Sequence, residues 1–254
     1  MHLETKKLSK QFGGLHAVNN VDFSIEKGKI NAIIGPNGAG KSTFFNLVSG
    51  VYKPTSGQVI FNGMDISHLA ANKIAELGVA RTFQTTNLFE KSTVFDNVVV
   101  GHRLRTKSNL FDAVFRTKRL KEEEMKSKEK ALEVLEFVEL PNSADRLVAN
   151  ISQEEKKRVA FALALATDPE IIFLDEPTAG INPDETEKLS KLIEKMAERG
   201  VTVCLIEHKM QMIMELAEKI MVLNYGEKIA EGTPDEINNN DEVIKAYLGG
   251  TASA

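Results

Sequence analysis

The chain has 254 residues, 42% hydrophobic and 27% charged, with a net charge of −4. That length can bury a substantial core, as one large α/β domain or two small ones. The acidic balance argues against a nucleic-acid partner, and the absence of any apolar run of membrane-spanning or signal-peptide length predicts a cytoplasmic protein that reaches a membrane through a partner.

Residues 1 to 30 alternate and carry turn signals, which predicts short antiparallel strands joined later by the run from Gly57 to Gly63. Phe12 precedes two glycines, an exposed place for an aromatic ring. By itself it reads either as a minor core residue or as a platform for a planar ligand. Its position ahead of the next motif favours the platform, for adenine.

That motif is Gly35-Pro36-Asn37-Gly38-Ala39-Gly40-Lys41-Ser42-Thr43. It follows the apolar run Ile30–Ile34 and leads into Phe44–Val48, which reads as the first turns of a helix. Gly-x-x-x-x-Gly-Lys-Ser between a strand and a helix is a phosphate loop. Its glycines let the backbone curl so that successive N–H groups face phosphate oxygens, and the helix adds its positive dipole end. Lys41 supplies a mobile charge for the β- and γ-phosphates, and the Ser42 hydroxyl can ligate Mg²⁺. The chain is expected to bind a nucleoside triphosphate.

Residues 72 to 77 read as a short helix, and Gly78 to Gln84 as an apolar strand ending on a polar residue. Gln84 has no role in isolation. From Leu88 to about Ala149 charges become dense and strand-like runs vanish, so a helical subdomain is expected between two halves of a sheet. Met125, Leu132, Leu135 and Val138 are expected on its buried face. Basic residues from Arg103 to Arg119 precede the acids Glu122, Glu123 and Glu124; a solvated face is the default reading for such charges.

The run Ile171-Ile172-Phe173-Leu174 suits a strand buried on both faces, and it ends in Asp175-Glu176. Carboxylates at the C-terminal end of such a strand sit where open α/β sheets hold ligands. Asp175 is placed to hold Mg²⁺, directly or through water, and Glu176 to polarise a water for in-line attack on the γ-phosphate. A helix follows from Asp184 to Arg199, then a strand from Val201 to Ile206 that ends in Glu207-His208 and contains the only cysteine, Cys204, read as a buried structural thiol. One histidine at a strand end is ordinarily structural. Here it would meet Gly35 and Asp175 at one sheet edge, where it can hydrogen-bond the γ-phosphate. Met210 to Leu216 read as a helix with a core stripe, and the chain closes with a hairpin around Asn224-Tyr225-Gly226, a short helix and a frayed tail.

These pieces, in this order, resemble the nucleotide-binding subunit of an ABC transporter over essentially the whole chain. Within that family Gly78–Gln84, Thr93–Val98, Val222–Gly226 and Ala230–Pro234 are most similar to the ATPases of branched-chain amino acid importers. The resemblance implies one ABC ATPase domain, with residues 1–87 and 160–254 forming the nucleotide-binding core with its β subdomain and 88–159 the helical subdomain. It implies ATP and Mg²⁺ as cofactors, Phe12 stacking on adenine, residues 35 to 43 wrapping the phosphates, and Gln84 sensing Mg²⁺ and the transporter. Asp175 supports the metal, Glu176 activates water and His208 contacts the γ-phosphate. Implied partners are membrane subunits, a second ATPase subunit of the same or a different kind, and indirectly a substrate-binding protein, at the cytoplasmic face of the membrane.

The family's Leu-Ser-Gly-Gly-Gln signature, which completes the partner's ATP site, is replaced here by Ile151-Ser152-Gln153-Glu154-Glu155. Ser152 survives and both glycines are gone. Glu154 and Glu155 are expected to set carboxylates near a polyanion, a repulsive arrangement unless metal or a basic residue intervenes, and the altered run implies pairing with a different ATPase or impaired activity. Two alternatives remain: a soluble ABC-type ATPase acting on DNA or ribosomes, and a nucleotide-binding regulator that does not hydrolyse.

Overall fold

The computed structural model describes residues 1–82 and 88–249. The chain divides into two compact units, one of residues 1–81, 170–177 and 190–254, the other of residues 82–169 and 178–189.

In the first unit, β1 (Leu3–Phe12), β2 (Leu15–Ile25), β3 (Ile30–Ile34), α1 (Lys41–Val48), β4 (Ser56–Phe61), β5 (Met64–Asp65), α2 (Ala71–Glu76) and β6 (Val79–Arg81) follow in order. The antiparallel sheet has strand order β2-β1-β4-β5. Of its four strands, β1 and β2 form one long ribbon closed by a tight turn at Gly13-Gly14, with Phe12 opposite Leu15, where short strands were expected. The second sheet is mostly parallel, in the order β10-β9-β3-β8-β7-β6, where β7 is Ile171–Asp175, β8 Thr202–Ile206, β9 Lys219–Asn224 and β10 Glu227–Gly232. Every residue of β3, β7 and β8 is buried, the pattern of central parallel strands covered on both faces. One apolar cluster joins the two sheets around α1: Phe44 packs edge-on to Phe23 (6.2 Å) and Phe45 edge-on to Phe173 (5.0 Å).

His2 ties the two sheets a second time. It is 1% exposed, with Nδ1 2.6 Å from Thr202 Oγ1, Nε2 3.4 Å from Glu170 and its ring 5.0 Å from Phe61. Burial holds the imidazole below its ordinary 6.5, against the pull of Glu170. The unfolded chain therefore takes up this proton more readily than the folded one. Stability from this site is complete above 6.5 and drains as pH falls toward the lower folded value. Urea midpoints should drop as pH falls below 6.5, and His2→Gln should flatten that drop. Equal slopes for both proteins would remove His2 from the account.

The second unit holds α3 (Val94–His102), α4 (Leu110–Phe115), α5 (Lys118–Phe137) and α6 (Gln153–Leu165), and α7 (Pro183–Glu198) begins in it. In α5 the buried positions are Ser127, Ala131, Val134 and Leu135, continued by Val138 after the helix end, at helical spacing. Met125 and Leu132, expected on that face, are each 55% exposed; the small side chains Ser127 and Ala131 take the buried positions in their place. The remaining helices of the first unit are α8 (Met210–Leu216), α9 (Pro234–Asn238) and α10 (Asp241–Gly249). Met212, Ile213 and Leu216 of α8 are buried, as a core stripe requires. Cys204 is wholly buried and free, and burial pushes its thiol far up. Among the described residues no helix is long and apolar enough to cross a membrane.

Candidate functional site at the C-terminal edge of the parallel sheet

The register of the parallel sheet gathers the candidate residues. Ile206 on β8 lies level with Ile33 on one side and Asp175 on the other. The residues just past those three positions therefore emerge at one edge: Gly35 two beyond Ile33 on β3, Glu176 next after Asp175 on β7, and His208 two beyond Ile206 on β8. A ladder bond from the Glu176 N–H to the Ile206 carbonyl (2.9 Å) continues the alignment one step past the strand.

After β3 the chain turns back over its own neighbours, and two glycines make this possible. Gly35 sits at φ +148° with the Leu223 carbonyl 2.0 Å from where a Cβ would stand. Gly40 sits at φ +101°, and there the Ala17 carbonyl would be 2.3 Å away. No side chain caps α1 after Gly40, and its first turn holds no acid, so its N–H groups stay available to an anion. In contrast α3, α4, α5 and α6 are capped by Thr93, Asn109, Thr117 and Ser152. Lys41 is buried, donating to the carbonyls of Gly35 (2.7 Å) and Pro36 (3.0 Å). Burial lowers its ammonium pKa, while Glu176 and Asp175 oppose the shift. The three charges thus act on one another electrostatically. Ser42 is exposed beside Lys41.

Glu176 is a non-glycine residue at φ +49°, in the left-handed region where side chains are strained by about 1–3 kcal/mol. The strain turns the chain off β7 and leaves the carboxylate at the edge, one-fifth exposed, 3.1 Å from His208 Nε2. Asp175 lies inside, with Oδ2 accepting from Arg81 Nη2 at 2.9 Å. Burial pushes its carboxyl above the usual range even with Arg81 opposing, so the group remains under-compensated for negative charge. A cation suits it. The Ser42 hydroxyl and the Asp175 carboxylate are hard oxygen donors of the kind Mg²⁺ takes. Among the described residues no group of three His, Cys, Asp or Glu forms a metal cage.

Two supports went unnoticed in the sequence. Arg81, at the end of β6, also donates to Asn46 Oδ1 (2.6 Å) and Ser49 Oγ (3.2 Å), so one guanidinium joins α1, β6 and β7. A charged residue closing an apolar strand next to Asp175's strand was the available signal. The turn at Tyr225-Gly226 has both residues at positive φ, as a tight hairpin demands. Its Gly226 N–H donates to the Ala39 carbonyl (3.0 Å) and its Gly226 carbonyl accepts from the Asn19 N–H (2.8 Å), which clamps the phosphate loop against β2.

Phe12 is 43% exposed, edge-on to Tyr52 at 5.4 Å, with Lys10 Nζ 5.1 Å from its ring centre. The expected exposed aromatic is present at the end of β1. Gln84 lies outside the described residues.

The altered signature lies in the second unit, and there basic residues intervene, the condition under which its acids are not repulsive. Ser152 caps α6 and forms a reciprocal box with Glu155: Glu155 N–H to Ser152 Oγ at 3.1 Å, Ser152 N–H to Glu155 Oε2 at 2.8 Å. Arg146 holds the other Glu155 oxygen at 2.6 Å. Against burial, the Ser152 N–H, the Ser143 hydroxyl and Arg146 keep this carboxyl below its usual value. Glu154 is buried and paired with Arg158, four residues on, which also reaches the Val138 carbonyl (3.1 Å). Neither carboxylate is presented bare, because each has a guanidinium within reach. Of the four altered side chains, Ile151, Gln153, Glu154 and Glu155, Gln153 alone is exposed.

A family model described as ABC transporter matches residues 18–179, and one described as branched-chain amino acid ATP-binding cassette transporter matches residues 227–253. The chain is 42% identical to the high-affinity branched-chain amino acid transport ATP-binding protein BraF of Pseudomonas aeruginosa, over 97% of each chain. It is 40% identical to the corresponding protein LivG of Escherichia coli, again over 97% of each. A nucleotide-free ATP-binding cassette from an ABC transporter superposes with a TM-score of 0.85 at 33% identity, covering 97% of this chain and 98% of that one.

Proposed function

The chain belongs to the ABC transporter family as an ATP-binding, ATP-hydrolysing subunit, and on that premise we propose that it powers uptake of branched-chain amino acids from the cytoplasmic face of a membrane complex. The observation that carries the chemistry is the shared level of Ile33, Ile206 and Asp175, which brings Lys41, Glu176 and His208 to one edge. In this reading ATP lies with its phosphates in residues 35 to 43 and its adenine on Phe12. Lys41 leaves the Gly35 and Pro36 carbonyls for the β- and γ-phosphates. Glu176 accepts the proton of the attacking water, and His208, bonded to Glu176 Oε1, orients that carboxylate and reaches toward the γ-phosphate. Ser42 and Asp175 would hold Mg²⁺, which when bound would supply positive charge to offset the negative charge of the phosphates. Gln84 is assigned the link from this site to the membrane subunits.

The intact pair Glu176–His208 and the altered signature together favour a partner ATPase of a different kind. This chain then hydrolyses ATP against the partner's Ser-Gly-Gly run, while its own Ser152, Gln153 and Glu154 leave the partner's site weak. Charge repulsion is not the reason, since Arg146 and Arg158 neutralise the acids. Loss of glycine is, because Cβ atoms at 153 and 154 hold a neighbouring nucleotide off the backbone. The chain alone should turn over slowly. Adding a partner ATPase with an intact signature should raise turnover about tenfold or more, about 1.4 kcal/mol of barrier. Turnover unchanged by the partner would defeat the pairing. Leucine uptake by vesicles carrying the reconstituted complex tests the substrate assignment; uptake unchanged by ATP would end it.

A further inference from the structure

The second unit carries a feature that ATP chemistry does not use. Helix α4 exposes Phe111 (63%), Val114 (68%) and Phe115 (66%) at spacing that puts them on one face, with the two rings 4.4 Å apart. Around it, residues 103 to 121 contain seven Lys or Arg and one acid, a net of +6 within a chain of net −4. Arg105 is turned to the carbonyls of Thr167 and Asp168, and Arg119 to Glu123. Arg103, Lys107, Arg116, Lys118 and Lys121 are exposed.

The one acid is withdrawn from this surface. Asp112 is 8% exposed, accepting from the Asn109 N–H (3.0 Å) and the Thr117 hydroxyl (2.8 Å). The Asn109 side chain caps the helix in return, and Glu123 binds the backbone N–H groups of Lys107 and Ser108. The polar groups of the turn are thus satisfied from within, and what faces outward is apolar at the tip and cationic at the collar. The exposed acids Glu122 and Glu124 come only after the first turn of α5.

We propose that α4 and its basic collar dock on an anionic phospholipid surface, with Phe111, Val114 and Phe115 in the interfacial layer and Arg103, Lys107, Arg116, Lys118 and Lys121 on the headgroups. Aromatic residues combined with cations are the composition of interfacial anchors. Three side chains offer at most roughly 500 Å² of apolar area, below the roughly 800 Å² per partner of a stable protein interface. Attraction of clustered cations to a charged bilayer makes up the difference without matching carboxylates. None of these residues is assigned to the nucleotide site, so docking by α4 stands whether or not the amino acid assignment does.

The full chain is tested by co-sedimentation with vesicles of equal parts phosphatidylglycerol and phosphatidylcholine, and with vesicles of phosphatidylcholine alone. Binding to the anionic vesicles only, weakening with added salt, is the expected result. Arg116→Gln with Lys118→Gln should lower that binding about 30-fold, the equivalent of two basic residues near a charged surface. Phe111→Ser with Phe115→Ser should also release the protein, and basal ATP turnover should stay unchanged in both variants. Failure to bind anionic vesicles, equal binding to both compositions, or binding indifferent to both double substitutions would each overturn the proposal. So would self-association of the chain that disappears in the Phe111→Ser, Phe115→Ser protein, which would make the tip a contact between copies.

Discussion

Glu176→Gln should lower the turnover number for ATP hydrolysis by about 10²–10⁴-fold while nucleotide affinity stays within a few-fold of the parent. The amide has the carboxylate's shape, and its oxygen can still accept at the place where Oε1 now meets His208. The backbone at φ +49° is equally strained with either side chain, so the turn off β7 survives. What disappears is a group able to take a proton from water. Lys41 and the open N-terminus of α1, which hold the phosphates, are untouched. Nucleotide titration and turnover measured on one preparation separate the two effects. Turnover within threefold of the parent would show that another group is the base, and the non-hydrolysing regulator would be supported if the parent itself failed to turn over with its partner.

Arg81→Met should cost about 3–5 kcal/mol of stability, the usual penalty for leaving one member of a buried ion pair without the other. Side-chain exposures of 8% for Arg81 and 6% for Asp175 place both charges out of solvent. Methionine fills the space over Phe45, whose ring centre lies 5.8 Å from the guanidinium carbon, but leaves Asp175, Asn46 and Ser49 without their common donor. For a chain of this size the loss corresponds to a melting temperature lower by about 6–20 °C. Arg81→Met combined with Asp175→Leu should recover much of that stability, since an apolar pair of similar volume can replace a buried ion pair. The double variant should still fail to hydrolyse ATP. If the single substitution shifts melting by less than a degree or two, Arg81 does not support Asp175 in the way the geometry indicates.

Much of the site was legible because its chemistry is local. A phosphate loop is a backbone shape, and Gly35, Gly38 and Gly40 around Lys41 and Ser42 announce that shape wherever they occur between a strand and a helix. Asp175 and Glu176 could be assigned because four apolar residues in a row mark a central parallel strand, and the ends of such strands are where ligands bind. Arg81 was missed for the opposite reason: its partners lie 94, 35 and 32 residues away in the chain. The clamp of Gly226 on Ala39 is non-local in the same way. Glu154 is the instructive case. Its pairing with Arg158 follows a spacing of four, which the sequence displays, and it supplies the basic residue on which the expected repulsion was conditional. Met125 and Leu132 were misplaced because a helix buries small residues as readily as large ones when its neighbours leave little room, and Ala131 carries that face.

The order and identity of the chemical groups, and the type of strand or helix that carries each, were determined by the sequence alone: short-range backbone preference and the alternation of apolar residues decide those things within a few residues. Which groups meet was decided only by the tertiary structure. Ile33, Ile206 and Asp175 come level through hydrogen bonds between strands separated by more than thirty residues, and no local preference sets that register. The same holds for the direction of charge, since whether a carboxylate faces a ligand or a guanidinium depends on what the rest of the chain packs beside it.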